Sequence, residues 1–317
     1  WNKKWSSVIK KENENDWTWF PNGELNTCYN CLDFHINNGK GNKTALIYDS
    51  PVTNQKKFYT YSDLLNKTAR IAGALKKHNV QKGDRVLIYM PMVPEAVASM
   101  LACARLGAIH VVVFGGFAPN ELATRINDSK PKVIIAGSCG IEPGKIIEYK
   151  PMLDEAINLS SHKVNTCFIF QRDIKKANLI NGRDFDLDIL IQNSDPAPPT
   201  TIKSQDPLYI LYTSGTTGDP KGMVRENGGH AVALKNSMKM IYGINSSDVF
   251  WAASDIGWVV GHSYIVYGPL LKGCTTILFE GKPVGSPDAG VFWRVISEHN
   301  VTAMFTAPTA LRAIKRE

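Results

Sequence analysis

The sequence lacks any apolar run that approaches the roughly 18 residues of a membrane-spanning helix. Apolar residues make up 44% of its 317 residues and charged residues 21%, close to the averages of soluble globular proteins. A chain of this length buries about 75% of its unfolded surface and fits one large or two ordinary domains. We therefore predict a soluble protein with a substantial core and no membrane span.

Cysteines are few and lack the arrangement of a zinc site or a disulfide framework. Cys28 and Cys31 have CxxC spacing, but the four other cysteines stand alone, whereas zinc requires a second closely spaced pair. Cys103 lies in an apolar helical pattern and Cys167 in an apolar strand-like run, as is typical of reduced cysteines. No signal or transit segment is visible. We predict structural thiols in an intracellular protein, with the mitochondrial matrix and the cytoplasm both open as compartments.

Concentrated positive charge is also absent, although the net charge is +7 and the isoelectric point is about 9.0. The lysines are scattered, and the basic cluster near the N-terminus is followed at once by acidic residues, so we interpret it as a solvated face. Tryptophans accompany these charges at positions 1, 5, 17 and 19. Aromatic residues that hold a terminal arm against the body are commoner than nucleic-acid stacking platforms, so we predict no nucleic-acid partner.

From about residue 40, strand-like and helical patterns alternate along the chain. Residues 1–40 form an irregular, tryptophan-rich arm, and residues 41–317 form the body, with a proline-containing connection at about 193–207. The clearest run is strand Arg85–Tyr89, helix Pro94–Leu106, strand Ile109–Phe114, helix Pro119–Ser129 and strand Val133–Ala136. This β-α-β-α-β order predicts an α/β fold with a parallel sheet covered by helices and ligands at the carboxyl ends of its strands.

The other predicted elements continue this alternation. In chain order they are strand Thr44–Tyr48, helix Tyr61–His78, helix His230–Ile241, strand Val249–Ala252, strand Thr275–Phe279, helix Gly290–His299, strand Thr302–Thr306 and a helix from Thr309.

The segment from Tyr212 to Gly222 combines four hydroxyl side chains, three glycines and a lysine directly after the apolar segment Pro207–Leu211. Glycines let backbone N–H groups approach an anion, while the hydroxyls add hydrogen bonds and the lysine adds charge. We predict a strand that ends in a loop binding the phosphates of a nucleoside triphosphate, rather than a polar turn. The proposed ligands are Thr213, Ser214, Gly215, Thr216, Thr217, Gly218 and Lys221.

This phosphate loop differs from the Walker A motif at two positions. Counted from Gly215, Pro220 stands where the second glycine belongs, and Gly222 stands where the magnesium-ligating hydroxyl belongs. The sequence therefore disfavours a kinase or a P-loop NTPase.

A second constellation lies at Asp255–Tyr264, where glycines alternate with aromatic and apolar residues. Trp258 and His262 offer rings beside Val259 and Val260, which suits a small apolar pocket with polar edges. For His262 alone, a buried and hydrogen-bonded histidine is favoured over a catalytic base.

The phosphate loop resembles the signature of the adenylate-forming superfamily, and the segments that follow it resemble short-chain acyl-CoA synthetases over essentially the whole chain. The segment Glu280–Gly290 is closer to propionyl-CoA synthetases than to acetyl-CoA synthetases. The other segments that carry the resemblance are Asn30–Asp33, Phe114–Phe117, Asp255–Tyr264, Tyr267–Leu270, Phe279–Gly281 and Thr306–Thr309.

This resemblance implies the large N-terminal domain of the adenylate-forming fold. It also implies ATP, Mg²⁺, CoA and a short-chain carboxylate as cofactors and substrates. A carboxylate attacks the α-phosphate of ATP to give an acyl-adenylate and pyrophosphate, and the CoA thiol then displaces AMP.

The resemblance also assigns roles to individual residues. Lys221 and Trp258 are implied to be catalytic: Lys221 binds the ATP phosphates, and Trp258 gates the reaction site. Trp258, Val259 and Val260 line the acyl pocket. Acetate enzymes carry a threonine at the position of Val260, so the valine favours propionate. The implied CoA-binding residues are Glu142, Pro143, Gly144 and Lys145, with Gly115, Gly116 and Ala307 nearby.

Part of the implied machinery is expected beyond Glu317. The adenine- and ribose-binding motifs, the acidic magnesium ligands and the C-terminal lid domain with its catalytic lysine are not found in these residues. No metal ligand is assignable, and we expect residues 1–317 alone to be inactive. Two alternatives stay open: an adenylation domain that loads a carrier protein, and a non-catalytic module that binds nucleotide or CoA.

Overall fold

A computed structural model describes residues 1–142, 144–213 and 220–317 and shows strands and helices in alternation. The strands are β1 (Ile9–Lys11), β2 (Trp17–Trp19), β3 (Glu24–Leu25), β4 (Thr44–Ser50), β5 (Gln55–Thr60), β6 (Arg85–Tyr89), β7 (Ile109–Val112), β8 (Val133–Gly137), β9 (Cys139–Glu142), β10 (Lys145–Glu148), β11 (Cys167–Phe170), β12 (Asp184–Asp186), β13 (Ile202–Lys203), β14 (Pro207–Thr213), β15 (Lys221–Glu226), β16 (Val249–Ala253), β17 (Thr275–Phe279) and β18 (Ala303–Thr306).

The helices lie between these strands. They are α1 (Thr27–Cys31), α2 (Asp33–His35), α3 (Tyr61–Lys77), α4 (Pro94–Leu106), α5 (Pro119–Ser129), α6 (Tyr149–Leu159), α7 (Leu187–Gln192), α8 (Asn227–Met240), α9 (Val259–Gly261), α10 (Gly268–Lys272), α11 (Val291–Glu298) and α12 (Pro308–Lys315), with π-helical turns at Ile36–Lys40 and His262–Tyr267.

The larger sheet has seven strands in the order β12-β11-β8-β6-β7-β14-β15. Every neighbouring pair is parallel except β14 and β15, which run antiparallel. Its central strands are continuous apolar runs such as Val133–Gly137, as expected where helices cover both faces of a parallel sheet. The predicted α/β class is confirmed.

A second sheet of five strands has the order β18-β16-β17-β4-β5, with only the β4–β5 pair antiparallel. The alternation in the sequence predicts the strands but not their division between two sheets. The carboxyl ends of β16 and β17 in this sheet, and of β6 and β7 in the larger one, supply the loops that form the candidate site.

Helix α4 is apolar on all sides and lies in the core shared by the two sheets. All thirteen of its residues are buried, which is typical of a helix surrounded by other elements. Pro94 occupies its first turn, and Gly107, with φ of 73°, ends it in the left-handed conformation. Helix α3 packs beside it and begins with a capping box between Thr60 and Asp63.

The prediction that residues 1–40 are irregular is wrong in part. Strands β1 and β2 pair as a hairpin, and β3 pairs with β13. These strands are two or three residues long, too short to show a period in the sequence. The rings of Trp1 and Trp5 both contact Phe20, so these aromatic contacts lie within the arm itself.

All six cysteines are free and buried. Burial raises the pKa of the Cys28 and Cys274 thiols to about 12, which keeps them protonated and unreactive. The interpretation as structural thiols is confirmed. Within the described ranges, none of the helices is both long enough and apolar enough to cross a membrane.

Candidate active site

The predicted phosphate loop connects two antiparallel strands at the edge of the larger sheet. Residues 214–219, which include the predicted ligands Ser214, Gly215, Thr216, Thr217 and Gly218, lie outside the described residues. The two flanking ligands are placed: Thr213 ends β14 opposite Lys221, which begins β15. Both are exposed to solvent. Strand β14, whose carboxyl end precedes the loop in the sequence, lies beside the parallel strand β7.

A cavity of about 130 Å³, which we call the inter-sheet cavity, forms where loops from both sheets meet. The larger sheet contributes the segments after β6 and β7, and the five-stranded sheet contributes the segments after β16 and β17. The hairpin of β9 and β10 closes one side. The residues that line it are Val52, Met90, Pro91, Met92, Phe114, Gly115, Gly116, Ile141, Glu142, Ile147, Tyr149, Asp255, Glu280, Gly281 and Lys282.

The inter-sheet cavity brings together three of the residues predicted to bind CoA: Gly115, Gly116 and Glu142. Lys145 lies opposite Glu142 in the backbone register of the hairpin, and its side chain is exposed. Gly144 lies in the turn between them and has a φ of 73°. Pro143 lies outside the described residues. Ala307 is exposed at the start of α12 and is not among the residues that line the cavity.

Gly115 has a packing reason to be glycine, apart from any ligand. A Cβ atom at this position would overlap the hydroxyl of Tyr149, and a Cβ at Gly140 would meet the same group. Tyr149 is buried, and the centroids of the Tyr149 and Tyr89 rings are 4.8 Å apart. The tyrosine therefore fills the space that side chains at both glycines would need.

Replacing Gly115 with alanine is expected to destabilise the protein by about 1–3 kcal/mol, because the buried Tyr149 ring must shift. The measurement is the midpoint of thermal unfolding. Gly290→Ala is the matched control, since its Cβ would meet only a carboxylate oxygen of the exposed Asp288. Equal midpoints for the two variants would contradict the packing argument.

Asp255 projects into the inter-sheet cavity from the turn after β16. Its Oδ1 accepts a hydrogen bond from the Gly257 N–H at 2.7 Å. Burial raises the pKa of Asp255 to about 6, and the hydrogen bond from Gly257 opposes part of that rise. A carboxyl group that titrates near neutral pH therefore faces the cavity.

The three residues predicted for the acyl pocket follow Asp255, but the structure does not enclose them together. The Trp258 ring lies 5.9 Å from that of Phe114 at the edge of the inter-sheet cavity, and Trp258 is 51% exposed. Val259 lines a separate cavity of about 510 Å³, and Val260 is half-buried and lines neither cavity. Successive residues diverge here because α9 begins at Val259, and neighbouring side chains on a helix face different directions.

The separate cavity, which we call the α8 cavity, lies beside helix α8 and extends to the N-terminal arm. Its lining is mainly apolar, with Arg225 and Glu226 as its charged members. The residues that line it are Trp19, Phe20, Tyr209, Arg225, Glu226, Gly229, His230, Val232, Ala233, Leu234, Val259 and Ser263.

The structure contains a buried cluster of histidines and tyrosines behind Val259 that the sequence does not predict. The His110 and His262 rings stack with centroids 5.4 Å apart, and His110 Nε2 lies 2.6 Å from the Tyr267 hydroxyl. His230 completes the cluster through its contact with Tyr267. The three histidines are 32 to 152 residues apart in the chain, so no local motif indicates the cluster.

Each of these histidines has one buried ring nitrogen without a hydrogen-bond partner among the described residues: His110 Nδ1, His230 Nδ1 and His262 Nε2. Burial lowers the pKa of His230 to about 3 and that of His262 to about 4, and it places the pKa of His110 well below its ordinary value. His262 Nδ1 lies 3.1 Å from the Trp258 carbonyl oxygen. The interpretation of His262 as a buried, hydrogen-bonded residue is confirmed.

Behind the inter-sheet cavity, Arg172 and Glu280 form a buried, bidentate ion pair. The guanidinium donates to Glu280 Oε1 at 2.7 Å and to Oε2 at 2.9 Å. Glu280 also accepts hydrogen bonds from the Tyr48 hydroxyl and from Ser50 Oγ. The carboxylate is therefore neutralised and fully bonded, although it lines the cavity.

The described residues contain one group with the spacing of a metal site, formed by Asp49, Glu298 and His299. Asp49 already accepts two hydrogen bonds at 2.9 Å from Arg294 and one from His299. A guanidinium on both carboxylate oxygens repels a divalent cation, and Mg²⁺ requires free oxygen ligands. This cluster does not fit the magnesium ion that the resemblance implies.

Comparison with known protein families finds two adjacent matches that cover all of the chain except residues 32 and 33. The model described as "AMP-binding enzyme" matches residues 34–317, and the model described as "Acetyl-coenzyme A synthetase N-terminus" matches residues 1–31. The second match covers residues 1–31 of the tryptophan-rich arm, and the first covers both large sheets and the candidate site.

Curated relatives are similar along the full length of the chain. "Acyl-CoA synthetase short-chain family member 3, mitochondrial" of Homo sapiens is 53% identical over 318 residues, which is 100% of this chain and 46% of the relative. "Acetyl-coenzyme A synthetase" of Leptospira biflexa is 43% identical over 323 residues, which is 100% of this chain and 49% of the relative. The chain spans about half the length of the curated relatives it matches.

Proposed function

The chain belongs to the AMP-binding enzyme family, and from that premise we propose that the whole protein uses ATP to ligate a short-chain carboxylate to CoA. In the first step a carboxylate oxygen attacks the α-phosphorus of ATP, and the bond to pyrophosphate breaks. In the second step the CoA sulfur attacks the acyl carbon, the bond to AMP breaks, and the thiol loses its proton. The relatives named as short-chain acyl-CoA and acetyl-CoA synthetases support this reaction class.

The observation that carries the proposal is the convergence of loops from both sheets on the inter-sheet cavity. Gly115 and Gly116 follow β7, Asp255 follows β16, and Lys282 follows β17, so each lies beyond the carboxyl end of a parallel strand. This is where α/β folds bind ligands. The contact between the Phe114 and Trp258 rings at the rim of the same cavity supports a role for Trp258 there.

In the proposed adenylation step, Thr213 and Lys221 bind the triphosphate from the two strands that flank the phosphate loop. The two residues are paired across the antiparallel strands, so a hydroxyl donor and a cation flank the loop. Groups held in place before the reaction stabilise charge that develops on phosphate oxygens without reorganising. Magnesium neutralises phosphate charge when bound, and no residue described in the structure is proposed to hold it.

The proposed acid preference is propionate over acetate. Val260 lacks the hydroxyl that acetate enzymes carry at this position, and one such change is worth about 1–3 kcal/mol of selectivity. We expect kcat/KM of the full-length protein to be about 10-fold higher for propionate than for acetate. The assay measures AMP and thioester formation with acetate, propionate and butyrate. Val260→Thr should reduce the ratio, and equal values for all three acids would refute the preference.

The same assay separates the proposed ligase from its alternatives. Nucleotide or CoA binding without AMP release would indicate a non-catalytic module. AMP release with acyl transfer to a carrier protein rather than to CoA would indicate a carrier-loading adenylation domain. The activity is proposed for the whole protein, so residues 1–317 assayed alone are expected to yield little or no thioester.

A further inference from the structure

We propose that Lys282 binds a phosphate group of CoA and that Glu142 competes with that phosphate for the lysine. This inference rests on the proposed function, because it adds a residue to the CoA site of that reaction. Lys282 follows strand β17, whereas Glu142 ends strand β9 in the hairpin. Their side chains meet at the inter-sheet cavity, where Lys282 Nζ lies 2.9 Å from Glu142 Oε1.

The charges that line the inter-sheet cavity point to Lys282 as its anion-binding group. The described lining residues include three carboxyl groups, on Glu142, Asp255 and Glu280, and a single cation, Lys282. Glu280 is neutralised by Arg172 from behind. The remaining carboxyl groups would repel a polyphosphate, so an anion that enters this cavity depends on the charge of Lys282.

The ion pair between Lys282 and Glu142 is suited to exchange rather than to structural support. The two side chains are 53% and 45% exposed, and ion pairs in such positions contribute little to stability because water screens them. The lysine backbone is better fixed, since its N–H donates to Ser286 Oγ at 3.0 Å. A phosphate can therefore replace the Glu142 carboxylate as the partner of Lys282 without disturbing the fold.

This pairing accounts for the acidic residue in the predicted CoA segment. A glutamate at position 142 by itself lowers the affinity of the cavity for phosphate. In the structure the glutamate is paired with a lysine from a different part of the chain, so the net charge at this point is close to zero before CoA binds. Lys145, opposite Glu142 in the hairpin, is the other cation of this segment and is exposed beside the cavity rather than in its lining.

The test compares KM for CoA among variants of the full-length protein. We expect Lys282→Gln to raise KM for CoA about tenfold, as is typical for the loss of a charge-assisted hydrogen bond to phosphate. Glu142→Gln should lower KM for CoA about two- to fivefold, because it removes the competitor. Lys282→Arg should keep KM within about threefold, since the charge remains. The KM values for ATP and for the acid should not follow this pattern.

Lys175→Gln is the matched control. Lys175 also pairs with a glutamate of the hairpin, Glu148, at a similar exposure, but it does not line the inter-sheet cavity. We expect the KM of the Lys175→Gln variant for CoA to equal that of the unmodified protein. Dephospho-CoA, which lacks the 3′-phosphate, identifies the group that is bound. A Lys282→Gln effect that disappears with this substrate assigns the lysine to the 3′-phosphate, and one that persists assigns it to the pyrophosphate bridge.

The outcomes that overturn the inference differ from those that overturn the proposed function. If the unmodified protein forms thioester and Lys282→Gln leaves KM for CoA unchanged with both substrates, the role of Lys282 is refuted while the function stands. The same holds if Glu142→Gln raises KM for CoA as much as Lys282→Gln does. If the unmodified protein forms AMP but no CoA thioester, the proposed function and the role of Lys282 fail together.

Discussion

Replacing Arg172 with methionine is expected to lower the free energy of unfolding by about 3–5 kcal/mol. The guanidinium and the Glu280 carboxylate are both buried, at 6% and 5% exposure, and they share two hydrogen bonds. The substitution leaves a buried carboxylate that, among the residues the structure describes, retains only the Tyr48 and Ser50 hydroxyls as donors. An uncompensated buried charge is much more costly than the pair is stabilising, so the loss exceeds that of an ordinary core substitution.

The position of this ion pair links stability to the candidate site. Arg172 follows strand β11 of the larger sheet, and Glu280 follows strand β17 of the smaller one. The pair therefore connects the carboxyl ends of the two sheets directly behind the inter-sheet cavity, which Glu280 lines. We expect Arg172→Met to weaken CoA binding as well as stability, because Lys282 lies two residues after Glu280.

Urea unfolding of the purified protein measures the loss for Arg172→Met. The double variant Arg172→Met, Glu280→Met should recover more than half of it, because it removes both charges. Lys10→Met is the control, since it breaks the exposed ion pair with Glu12, and it should leave the unfolding midpoint unchanged. A double variant no more stable than the single one would show that the charge of Glu280 is not the cause.

Local sequence signals are sufficient to predict the bounds of those elements whose first and last residues are marked in the sequence itself. Strand β6 and helices α4 and α5 have the predicted bounds, because a proline opens each helix and a change of period marks the strand. Helix α8 begins at Asn227 rather than at the predicted His230. The apolar period identifies the body of that helix, but its first turn has no proline or side-chain cap to mark its start.

Pairings between distant segments could not be predicted in the same way. The hairpin of β9 and β10 and the strand β15 were not predicted, and the alternation of strands gave no indication that two sheets form. The partner of Glu280 lies 108 residues away in the sequence, and Lys282 meets Glu142 across 140 residues. Periodicity reports which face of an element is buried, but it carries no information on which other element covers that face.

The site predictions show the same difference between local sequence signals and contacts made between distant segments. Gly115, Gly116 and Glu142 line one cavity, and their role in CoA binding stays a prediction. The charge that compensates Glu142 depends on contacts made only in the folded chain, and so does the histidine cluster. Each histidine lies in or beside an otherwise apolar segment, where it reads as an isolated polar residue.

Acidification from pH 7 to pH 4 is expected to destabilise the protein by on the order of 10 kcal/mol, chiefly through its buried histidines. Burial lowers the pKa of His35 and His262 to about 4 and that of His230 to about 3, and it places the pKa of His110 well below its ordinary value. In the unfolded chain these groups take up protons near pH 6.5. Their stabilising effect is therefore complete above pH 6.5 and is lost as the pH falls towards the folded values.

Two carboxyl groups modify this pH dependence in opposite directions. The raised pKa of Asp255, about 6, means that the folded state binds this proton first, so Asp255 offsets part of the loss between pH 6 and pH 4. Burial would raise the pKa of Asp49, but hydrogen bonds from His299 and Arg294 lower it to about 2. Asp49 therefore adds to the loss only below about pH 4. The histidines dominate the range above pH 4 because each contributes about 1.4 kcal/mol per pH unit there.

The unfolding midpoint in urea, measured at half-unit intervals from pH 7 to pH 4, tests this expectation. His230→Phe removes one buried imidazole whose Nδ1 has no partner in the described part of the chain. The free energy of unfolding of this variant should therefore fall less steeply with pH, by the contribution of one proton, about 1.4 kcal/mol per pH unit. His162→Phe is the control, because its partly exposed ring already contacts the Pro131 carbonyl oxygen at 3.0 Å, and it should retain the original slope. A slope unchanged by His230→Phe would place the pH dependence outside the histidine cluster, since the protons taken up on unfolding would then bind elsewhere.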